Sequence, residues 1–377
     1  MKTKIRFLIN TLAGGGAEKV LIDLLNCLDK EKYDIELVTV LGGVHESKVP
    51  SCVSYRKIVN NKNKYISGIL SKIILKMNPK LFSFLFLRGD VGIDIAYLEG
   101  IPTRFIAANS KASKKVAFVH CDLSKINMIE PLYKNNDHVL EEYRSFSRVC
   151  FVSQCAKDGF EKKFGMLENG IVVHNVLDYN TISVLASEEI SDAYSTTGIK
   201  FVTVGRLTEA KGYERLLRIV SEMEKKYEFE LWIIGDGEER PKLEKIIKEL
   251  DIRSVKMLGF KDNPYPYIKK ADVFVCSSFS EGYSTAVSEA VALGIPVITT
   301  RCAGMEEILE DENLGEIVDN SEAGLKTALN ALFDNKDNYE ELKNKRLIWN
   351  GLNTTKKSLN EYMELFDNLI IDGEKNV

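Results

Sequence analysis

The segment that decides the fold reads Asp272-Val273-Phe274-Val275-Cys276, then Ser280-Glu281-Gly282-Tyr283-Ser284-Thr285-Ala286-Val287-Ser288-Glu289-Ala290, and finally Gly294-Ile295-Pro296-Val297-Ile298-Thr299-Thr300. Its two ends are short β-branched and aromatic runs, which predict buried strands. In the middle, small apolar residues from Ala286 to Leu293 repeat at helical spacing, and Gly294 is a typical residue to end that helix. A strand, a helix and a second strand in this order predict a parallel sheet.

The same alternation runs through the whole chain and predicts two domains. A chain of 377 residues is long for one core, because domains usually contain about 100 to 200 residues. The polar segment 178–199 predicts the connection between them. We therefore expect an α/β protein with two doubly wound, Rossmann-like domains facing across a cleft, residues 1–180 and 190–353. The apolar pattern of the tail, residues 354–377, predicts a helix that returns to the first domain.

Composition and charge describe a globular, soluble enzyme. The 51 basic and 55 acidic residues leave a net charge of -4, which gives no general footprint for nucleic acid. Seven cysteines without a CxxC pair predict reduced thiols in the cytoplasm. Arg6 and Asn10 interrupt the apolar start of the chain, so we expect a strand there rather than a signal peptide. No apolar run approaches the roughly 20 residues of a membrane span.

The predicted helix that begins at Ser284 is the first candidate site. A helix N-terminus offers free N–H groups and a positive dipole end, which suit a phosphate, and Ser284 is a plausible N-cap. Glu281 precedes this end, and Glu289 lies more than two turns beyond Glu281. The two carboxylates can therefore accept hydrogen bonds from hydroxyls at different parts of one extended ligand. An anion between two polyols describes a nucleoside diphosphate sugar.

Two cations follow the predicted strand that ends at Val204. Arg206 and Lys211 lie at its carboxyl end, the edge at which open parallel sheets bind ligands. An arginine can hold a pyrophosphate through two hydrogen bonds and a lysine as a point charge, although a solvated pair at the start of a helix has the same spacing. The turns at Gly235-Asp236-Gly237 and Gly259-Phe260-Lys261 lie on the same edge, where each either contacts a base or is simply a turn.

The first domain offers two further candidates. The turn Leu12-Ala13-Gly14-Gly15-Gly16 leaves room for a phosphate or sugar near the backbone, or is only a tight turn. It does not fit GxGxxG, and the second strand ends at Leu41-Gly42 without an acidic residue for a ribose, so a dinucleotide oxidoreductase is disfavoured. His120 follows a strand at the ligand-binding edge, although a lone histidine is more often structural.

Residues 62–87 leave two interpretations open. Ile66, Ile69, Leu70, Ile73, Ile74 and Met77 fall on one helical face. Packing of this face against its own domain is favoured, because amphipathic helices usually face a protein core. The alternative is a peripheral contact with an anionic membrane, since Lys62, Lys64 and Lys80 flank the apolar residues.

In their order and spacing, these motifs resemble the retaining glycosyltransferase family 4 of the GT-B fold, and in particular bacterial surface-polysaccharide glycosyltransferases. The resemblance implies an acceptor-binding first domain and a nucleotide-sugar-binding second domain. The segment Tyr283-Ser284-Thr285-Ala286 departs from the more usual Phe-Gly or Phe-Pro pattern. The residues that carry the resemblance are Gly205-Arg206-Leu207 with Lys211-Gly212, Gly235-Asp236-Gly237, Glu281-Gly282 with Glu289-Ala290, Gly294-Ile295-Pro296-Val297-Ile298, and Ala13 to Glu18.

The resemblance also implies roles for single residues. Arg206 and Lys211 would bind the donor diphosphate, Glu281 the donor sugar and Glu289 the ribose. His120 would face the donor sugar from the first domain, which requires the two domains to close. We expect catalytic roles for Glu281, His120, Lys211 and Arg206, and donor binding by Gly15, Gly16, Arg206, Lys211, Phe260, Glu281, Gly282, Tyr283, Ser284, Thr285 and Glu289.

Together these expectations describe a retaining, metal-independent hexosyltransferase. It would move a hexose from a nucleotide sugar, most simply a UDP-sugar, to a hydroxyl of a glycan or polyprenyl-linked glycan in surface polysaccharide synthesis. No cofactor beyond the donor is expected, because no cluster of carboxylates or histidines suggests a metal. The protein would act in the cytoplasm, or at the inner face of the cell membrane. A nucleotide-sugar epimerase, a soluble disaccharide synthase and a non-catalytic binding protein stay open as alternatives.

Overall fold

The computed structural model describes residues 2–60, 63–109, 114–125, 129–192, 197–309, 315–335, 340, 344 and 352–374. The chain divides into two compact units. The first contains Met1–Asp178 and Lys356–Val377, and the second contains Tyr179–Thr355. Each unit is built on one parallel sheet with helices, as the alternation of apolar runs predicts.

The first unit has a seven-stranded sheet with the order β3-β2-β1-β4-β5-β6-β7. Successive residues of β1 point to opposite faces, so Phe7 joins the core formed with helix α1, whereas Leu8 joins the core formed with α4. The sheet is therefore buried on both faces, which explains its apolar strands. Its elements are β1 (Thr3–Ile9), α1 (Gly16–Cys27), β2 (Tyr33–Thr39), β3 (Ser54–Lys57), α2 (Lys64–Leu75), α3 (Pro79–Phe86), β4 (Ile93–Ala96), α4 (Ile101–Ala107), β5 (Lys114–Val119), α5 (Asn136–Arg144), β6 (Arg148–Phe151), α6 (Gln154–Phe164) and β7 (Gly170–Val172).

The second unit has a six-stranded sheet with the order β10-β9-β8-β11-β12-β13. Strands β8 and β11 are neighbours without being consecutive, so the direction of winding changes between them. Such a switch point is where doubly wound sheets bind ligands. Its elements are α7 (Tyr179–Leu185), β8 (Ile199–Val204), α8 (Tyr213–Met223), β9 (Phe229–Ile234), α9 (Arg240–Glu249), β10 (Val255–Gly259), α10 (Tyr265–Lys270), β11 (Val273–Cys276), α11 (Thr285–Ala292), β12 (Val297–Thr300), α12 (Met305–Leu309), β13 (Gly315–Val318) and α13 (Glu322–Asp334).

The last helix, α14 (Leu352–Glu374), packs on the core of the first unit. The ring of Tyr362 stacks on Phe118 with centroids 5.5 Å apart, and Phe366 meets Tyr33 edge-on at 5.7 Å. Both tail aromatics are completely buried. The apolar pattern of the tail therefore has the partner that the sequence predicted.

The structure corrects the interpretation of residues 62–87. Ile74 and Met77 pack on the core of the first unit, but the side chains of Ile66, Ile69, Leu70 and Ile73 are 43%, 50%, 40% and 57% exposed. The favoured packing of the whole face is therefore wrong for these four residues. The physical reason is the orientation of α2 about its own axis, because residues such as Ser71 and Leu75 form the side that faces the core.

Strand β3 and helix α7 are among the short elements that the sequence analysis missed. Strand β3 has the polar sequence Ser-Tyr-Arg-Lys and lies at the edge of its sheet, so neither burial nor alternation marked it. Helix α7 occupies the start of segment 178–199, which was predicted to connect the two domains. Among the described residues, no helix has both the length and the apolar character to cross a bilayer.

Candidate active site

The candidate site lies in the second unit, where the loops after β8 and β11 meet at the switch point of the sheet. Ser277 Oγ donates to the carbonyl of Lys211 at 2.9 Å. The N–H of Phe279 donates to the carbonyl of Ala210 at 2.7 Å. The two loops are therefore held together by one backbone hydrogen bond and one hydrogen bond from a side chain to the backbone.

Gly212 permits this close approach. Its φ of +65° lies in the left-handed region that favours glycine, and a Cβ at this position would lie only 2.1 Å from the carbonyl oxygen of Ser277. Any larger residue would force the loops apart. The glycine of the Lys211-Gly212 motif thus allows the two loops to pack against each other at the switch point.

Lys211 and Glu281 are in direct contact. Nζ of Lys211 lies 2.6 Å from Oε1 of Glu281, and the same oxygen accepts a hydrogen bond of 2.6 Å from Ser278 Oγ. The side chain of Lys211 is 25% exposed and that of Glu281 is 11% exposed, so a ligand can reach both. Oε2 of Glu281 has no hydrogen-bond partner among the described residues and can accept one from a ligand hydroxyl.

A small crevice lies between the two loops and the N-terminus of α11. It is lined by Lys211, Glu281 and Ala286. Ser284 occupies the N-cap position that the sequence predicted, but its side chain forms no capping hydrogen bond. The N–H groups of the first turn therefore keep their capacity to bind an anion. Lys211 and the positive end of α11 can thus bind an anionic group, and the neighbouring carboxylate of Glu281 can bind a hydroxyl of the same ligand.

Arg215 positions the loop that leads to Glu281, and the sequence analysis missed it. The residue is only 6% exposed, and its Nη2 donates to the carbonyls of Ser277 at 2.6 Å and Ser278 at 2.8 Å. The guanidinium also lies 3.9 Å from the centroid of the Phe279 ring. Burial lowers the pKa of Arg215, but an arginine remains charged at any neutral pH. Its charge therefore fixes the backbone immediately before the carboxylate.

The other residues predicted for this site surround the edge without joining the contact. Arg206 is exposed, and its side chain forms no hydrogen bond or ion pair with the described residues. Phe260 is 66% exposed after β10, whereas Glu289 is 3% exposed within α11. Three more residues are partly buried in the loop and first turn of α11, namely Gly282, Tyr283 and Thr285.

The first unit contains a separate pair, Glu99 and His120, of which only the histidine was predicted. The backbone N–H of His120 donates to Glu99 Oε2 at 3.0 Å, and Cys121 Sγ donates to Oε1 at 3.1 Å. Burial lowers the pKa of His120, an effect that the charge of Glu99 opposes in part. The imidazole is therefore neutral at neutral pH. Its Nε2 is buried and has no partner among the described residues, so it can accept a hydrogen bond from a hydroxyl.

The glycine turn of the first unit favours a hydroxyl over a phosphate. Helix α1 begins at Gly16 after an uncapped Gly15, and Gly14 has a φ of +105°. However, a Cβ on Gly15 would lie 2.2 Å from Glu18 Oε2, so an acidic side chain covers this helix end. A phosphate here would meet that negative charge, whereas a sugar hydroxyl could donate to it.

The remaining side-chain chemistry gives no metal centre among the described residues, where no group of three or more His, Cys, Asp or Glu could hold an ion. All seven cysteines are free thiols. Cys276 lies near the crevice, and burial together with Glu281 raises its pKa, so the thiol is protonated.

Comparison with known proteins agrees with this geometry. Residues 188–347, nearly the whole second unit, match the family model described as Glycosyl transferases group 1. The lipopolysaccharide core biosynthesis glycosyltransferase LpsD of Rhizobium meliloti is 26% identical over 371 residues, which cover 94% of this chain and 95% of LpsD. An uncharacterized glycosyltransferase of Methanocaldococcus jannaschii, MJ1059, is 33% identical over 214 residues, but these cover only 55% of this chain and 53% of MJ1059.

The name of a further relative states a lipid-linked glycan as its acceptor. It is the N-acetylgalactosamine-N,N'-diacetylbacillosaminyl-diphospho-undecaprenol 4-alpha-N-acetylgalactosaminyltransferase of Campylobacter jejuni. It is 27% identical over 348 residues, which cover 86% of this chain and 90% of the relative.

Solved structures share the fold of the chain. A glycosyltransferase from Rickettsia africae matches with a TM-score of 0.76 at 16% identity, covering 98% of this chain and 99% of its own. Anabaena Alr3699/HepE, solved in complex with UDP and glucose, matches with a TM-score of 0.70 at 18% identity, covering 96% of this chain and 100% of its own. The chain accordingly has the GT-B fold of these solved glycosyltransferases, and residues 188–347 of its second unit match the group 1 domain.

Proposed function

We propose that the chain transfers a hexose from a UDP-sugar to a hydroxyl of a glycan or lipid-linked glycan, with retention of the anomeric configuration, in surface polysaccharide synthesis. The observation that carries the proposal is the 2.6 Å contact between Lys211 and Glu281 beside the start of α11. The cation and the helix end suit a diphosphate, and Oε2 of Glu281 suits a sugar hydroxyl. The UDP complex of the Anabaena protein and the undecaprenol-linked acceptor of the Campylobacter relative support the choice of donor and acceptor.

In the proposed reaction, the acceptor oxygen attacks the face of the sugar from which the diphosphate leaves. The bond from the anomeric carbon to the diphosphate oxygen breaks, and the proton of the acceptor hydroxyl passes to the leaving diphosphate. Lys211, the N–H groups of α11 and the exposed Arg206 stabilise the charge that develops there, without a metal ion. A double displacement would need a carboxylate nucleophile. Glu281 is the candidate for it, but the resemblance assigns this residue to binding a sugar hydroxyl.

Two further residues keep the roles that the resemblance implies. Glu289, in the helix that follows the diphosphate position, would bind the ribose hydroxyls. His120 of the first unit would accept a hydrogen bond from a hydroxyl of the transferred sugar through Nε2. A lipid-linked acceptor would bring the enzyme to the inner face of the cell membrane, with the described part of residues 62–87 as the contact.

The test is a product assay with labelled UDP-, GDP- and ADP-hexoses and a panel of glycan and polyprenyl diphosphate-linked acceptors. The expected result is release of UDP together with an acceptor that carries the label in the anomeric configuration of the donor. An epimerised nucleotide sugar formed without acceptor would instead identify an epimerase. Transfer to free monosaccharides alone would identify a disaccharide synthase.

A further inference from the structure

Glu99 is a buried carboxylate at the ligand-binding edge of the first sheet. It lies in the loop between β4 and α4 and is 5% exposed. Its carboxylate accepts hydrogen bonds from the backbone N–H of His120 and from Sγ of Cys121, but it forms no ion pair with the residues that the structure describes. A buried charge without a counter-charge costs free energy. At the edge where open parallel sheets bind ligands, such a group is a candidate for a functional role.

The pairing of β4 with β5 brings Glu99 to His120. The last paired residues of the two parallel strands are Ala96 and Ala117, and Glu99 and His120 each lie three residues beyond them. At this point the N–H of His120 donates to Glu99 Oε2 at 3.0 Å and not to the backbone of β4. The carboxylate thus takes the place of a backbone carbonyl and fixes the chain where β5 ends.

Helix α4 holds Glu99 in place from the other side. Oγ1 of Thr103, which is completely buried, donates to the carbonyl of Leu98 at 3.1 Å. The N–H of Arg104 donates to the carbonyl of Gly100 at 3.1 Å. The residues on both sides of Glu99 are therefore tied to the first turn of this helix, so the carboxylate offers the N–H of His120 a rigid acceptor.

Strand β4 also orients the imidazole ring. The backbone carbonyl of Tyr97 accepts a hydrogen bond from the ring of His120. Because Nε2 has no partner among the described residues, the donor is Nδ1. The rings of Tyr97 and Phe118 lie 5.0 Å and 6.1 Å from the imidazole, centroid to centroid. A neutral ring with its proton on Nδ1 keeps the lone pair of Nε2 available as an acceptor.

Glu99 acts on the imidazole through its charge as well. Burial lowers the pKa of His120, and attraction to Glu99 opposes this decrease. Asp122, on the same turn, pairs instead with Lys125 at 3.2 Å. Burial and the charge of Glu99 raise the pKa of the Cys121 thiol, which therefore stays protonated and serves as a donor to the carboxylate rather than as a nucleophile.

We propose that Glu99 is a positioning residue for the transfer reaction, which holds His120 so that the lone pair of Nε2 meets a hydroxyl of the bound sugar. Glu99 acts through His120 in this role and not by contact with the substrate. It sets the position of the backbone that carries the imidazole, while the carbonyl of Tyr97 sets the orientation of the ring. This inference rests on the proposed function in that it needs His120 to contact the sugar, but the state of the imidazole is measured without donor or acceptor.

The test combines ¹⁵N NMR of the imidazole rings with steady-state kinetics of the full chain. The chain has four histidines, and the signals that disappear in His120→Gln identify those of His120. In the wild type, we expect the signals of a neutral ring protonated on Nδ1, with a pKa below the ordinary value of about 6.5.

Glu99→Ala removes the acceptor of the His120 N–H. The ring should lose its single tautomer, and kcat should fall roughly ten- to a hundredfold, because a misplacement of about 1 Å can cost about a hundredfold in rate. KM for the donor should change by less than about threefold, since the diphosphate contacts proposed for the second unit are unaltered. Glu99→Gln keeps an oxygen that can accept the same N–H, so it should retain the Nδ1 tautomer and recover most of the lost kcat, while the loss of charge lowers the pKa of His120 further.

The matched control Glu168→Ala removes an exposed carboxylate of the same unit and should change neither the ring signals nor kcat. Cys121→Ala removes the other hydrogen bond to Glu99 and should keep the tautomer. If Glu99→Ala does not fold, Glu99→Asp takes its place, because the shorter side chain keeps the charge but withdraws the acceptor from the N–H.

Unchanged ring signals in that variant, or a kcat equal to that of the wild type, would overturn the proposal. A wild type that transfers no sugar would refute the proposed function and with it the role of His120. An active wild type with unchanged ring signals in the Glu99 variant would refute the role of Glu99 alone.

Discussion

Nζ of Lys211 lies 2.6 Å from Oε1 of Glu281, although the two residues are 70 positions apart in the chain. They meet because their strands are neighbours at the switch point of the second sheet. Without a ligand, the carboxylate neutralises the lysine, so the site does not hold an unbalanced charge. When a diphosphate binds, the lysine gains a second anionic partner while Glu281 still has Oε2 for the sugar.

The first prediction concerns Lys211. Removal of one group that stabilises transition-state charge typically costs about 3 to 4 kcal/mol of barrier, so Lys211→Ala should reduce kcat by roughly a hundred- to a thousand-fold. Donor affinity should fall much less. Steady-state kinetics of UDP release measure both. The control Lys225→Ala removes an exposed lysine on the same unit, and equal kcat in wild type and Lys211→Ala would refute the assigned role.

The second prediction concerns Arg215, which should act by positioning rather than by touching the substrate. Arg215→Met removes the donors to the carbonyl of Ser277, whereas the carbonyl of Ser278 keeps its hydrogen bond of 2.6 Å from Thr300 Oγ1. One unsatisfied buried group costs about 1 to 3 kcal/mol. Unfolding of the second unit should therefore occur at lower denaturant concentration, and kcat should fall. Arg215→Lys should recover part of both. Arg218→Met, which breaks only an exposed pair with Glu214, should change stability by less than about 1 kcal/mol.

The third prediction is a pH dependence of stability through Asp23 on α1. Burial raises its pKa to about 6, against opposition from Lys19. Because the unfolded chain loses this proton near pH 3.8, the folded state binds more protons between about pH 4 and 6. The contribution of Asp23 to the unfolding free energy should therefore fall by about 2 to 3 kcal/mol as pH rises through this window.

Denaturant titrations of wild type and Asp23→Asn across this range measure the effect as a difference. The gap between the two curves should change between pH 4 and 6 and level off near pH 7, below the pH at which Lys19, whose pKa burial lowers to about 8, begins to titrate. Parallel curves throughout would show that Asp23 titrates in the folded chain as it does in water.

The fourth prediction concerns the return of the tail. Tyr362 is completely buried among the rings of Phe118 and Phe366, and truncation of a buried aromatic side chain typically costs about 3 to 5 kcal/mol. Tyr362→Ala should thus destabilise the first unit by this amount while UDP still binds to the second unit. Glu364→Ala, on the exposed side of α14, is the control. A shift no larger than that of the control would contradict the packing of this helix.

Much of the fold was predictable because buried parallel strands have continuous apolar sequences. Phe201 to Val204 and Val273 to Cys276 are of this kind, and their helices end in clear glycine signals such as Gly294. Strand β3 was not predictable, because an edge strand with a polar sequence is defined by its pairing with β2 and not by its own pattern. The exposure of Ile69 and Ile73 was also hidden, since helical periodicity shows which residues share a face and not which face meets the core.

The site was predictable only where motif and strand end coincide. Lys211 and Glu281 lie in the loops that follow two strands, so the topology rule places them on one edge. Arg215 could not be found, because an arginine at the border of the apolar stripe of Leu216 and Val220 on α8 is expected to extend into solvent. Its burial arises only when the loop after β11 folds over the start of that helix. Glu99 was hidden because its partner, His120, follows a different strand, and the two meet only when β4 and β5 pair.

The most direct test of the central claim is a calorimetric titration of UDP and a UDP-hexose into the wild type, Lys211→Ala and Glu281→Gln. We predict that the wild type binds both ligands. Lys211→Ala should weaken both by a similar factor, because it removes a contact with the diphosphate. Glu281→Gln should weaken the UDP-hexose more than UDP, because Glu281 contacts the sugar. Absence of binding of both UDP and the UDP-hexose to the wild type, or equal weakening of the two ligands by Glu281→Gln, would contradict the account.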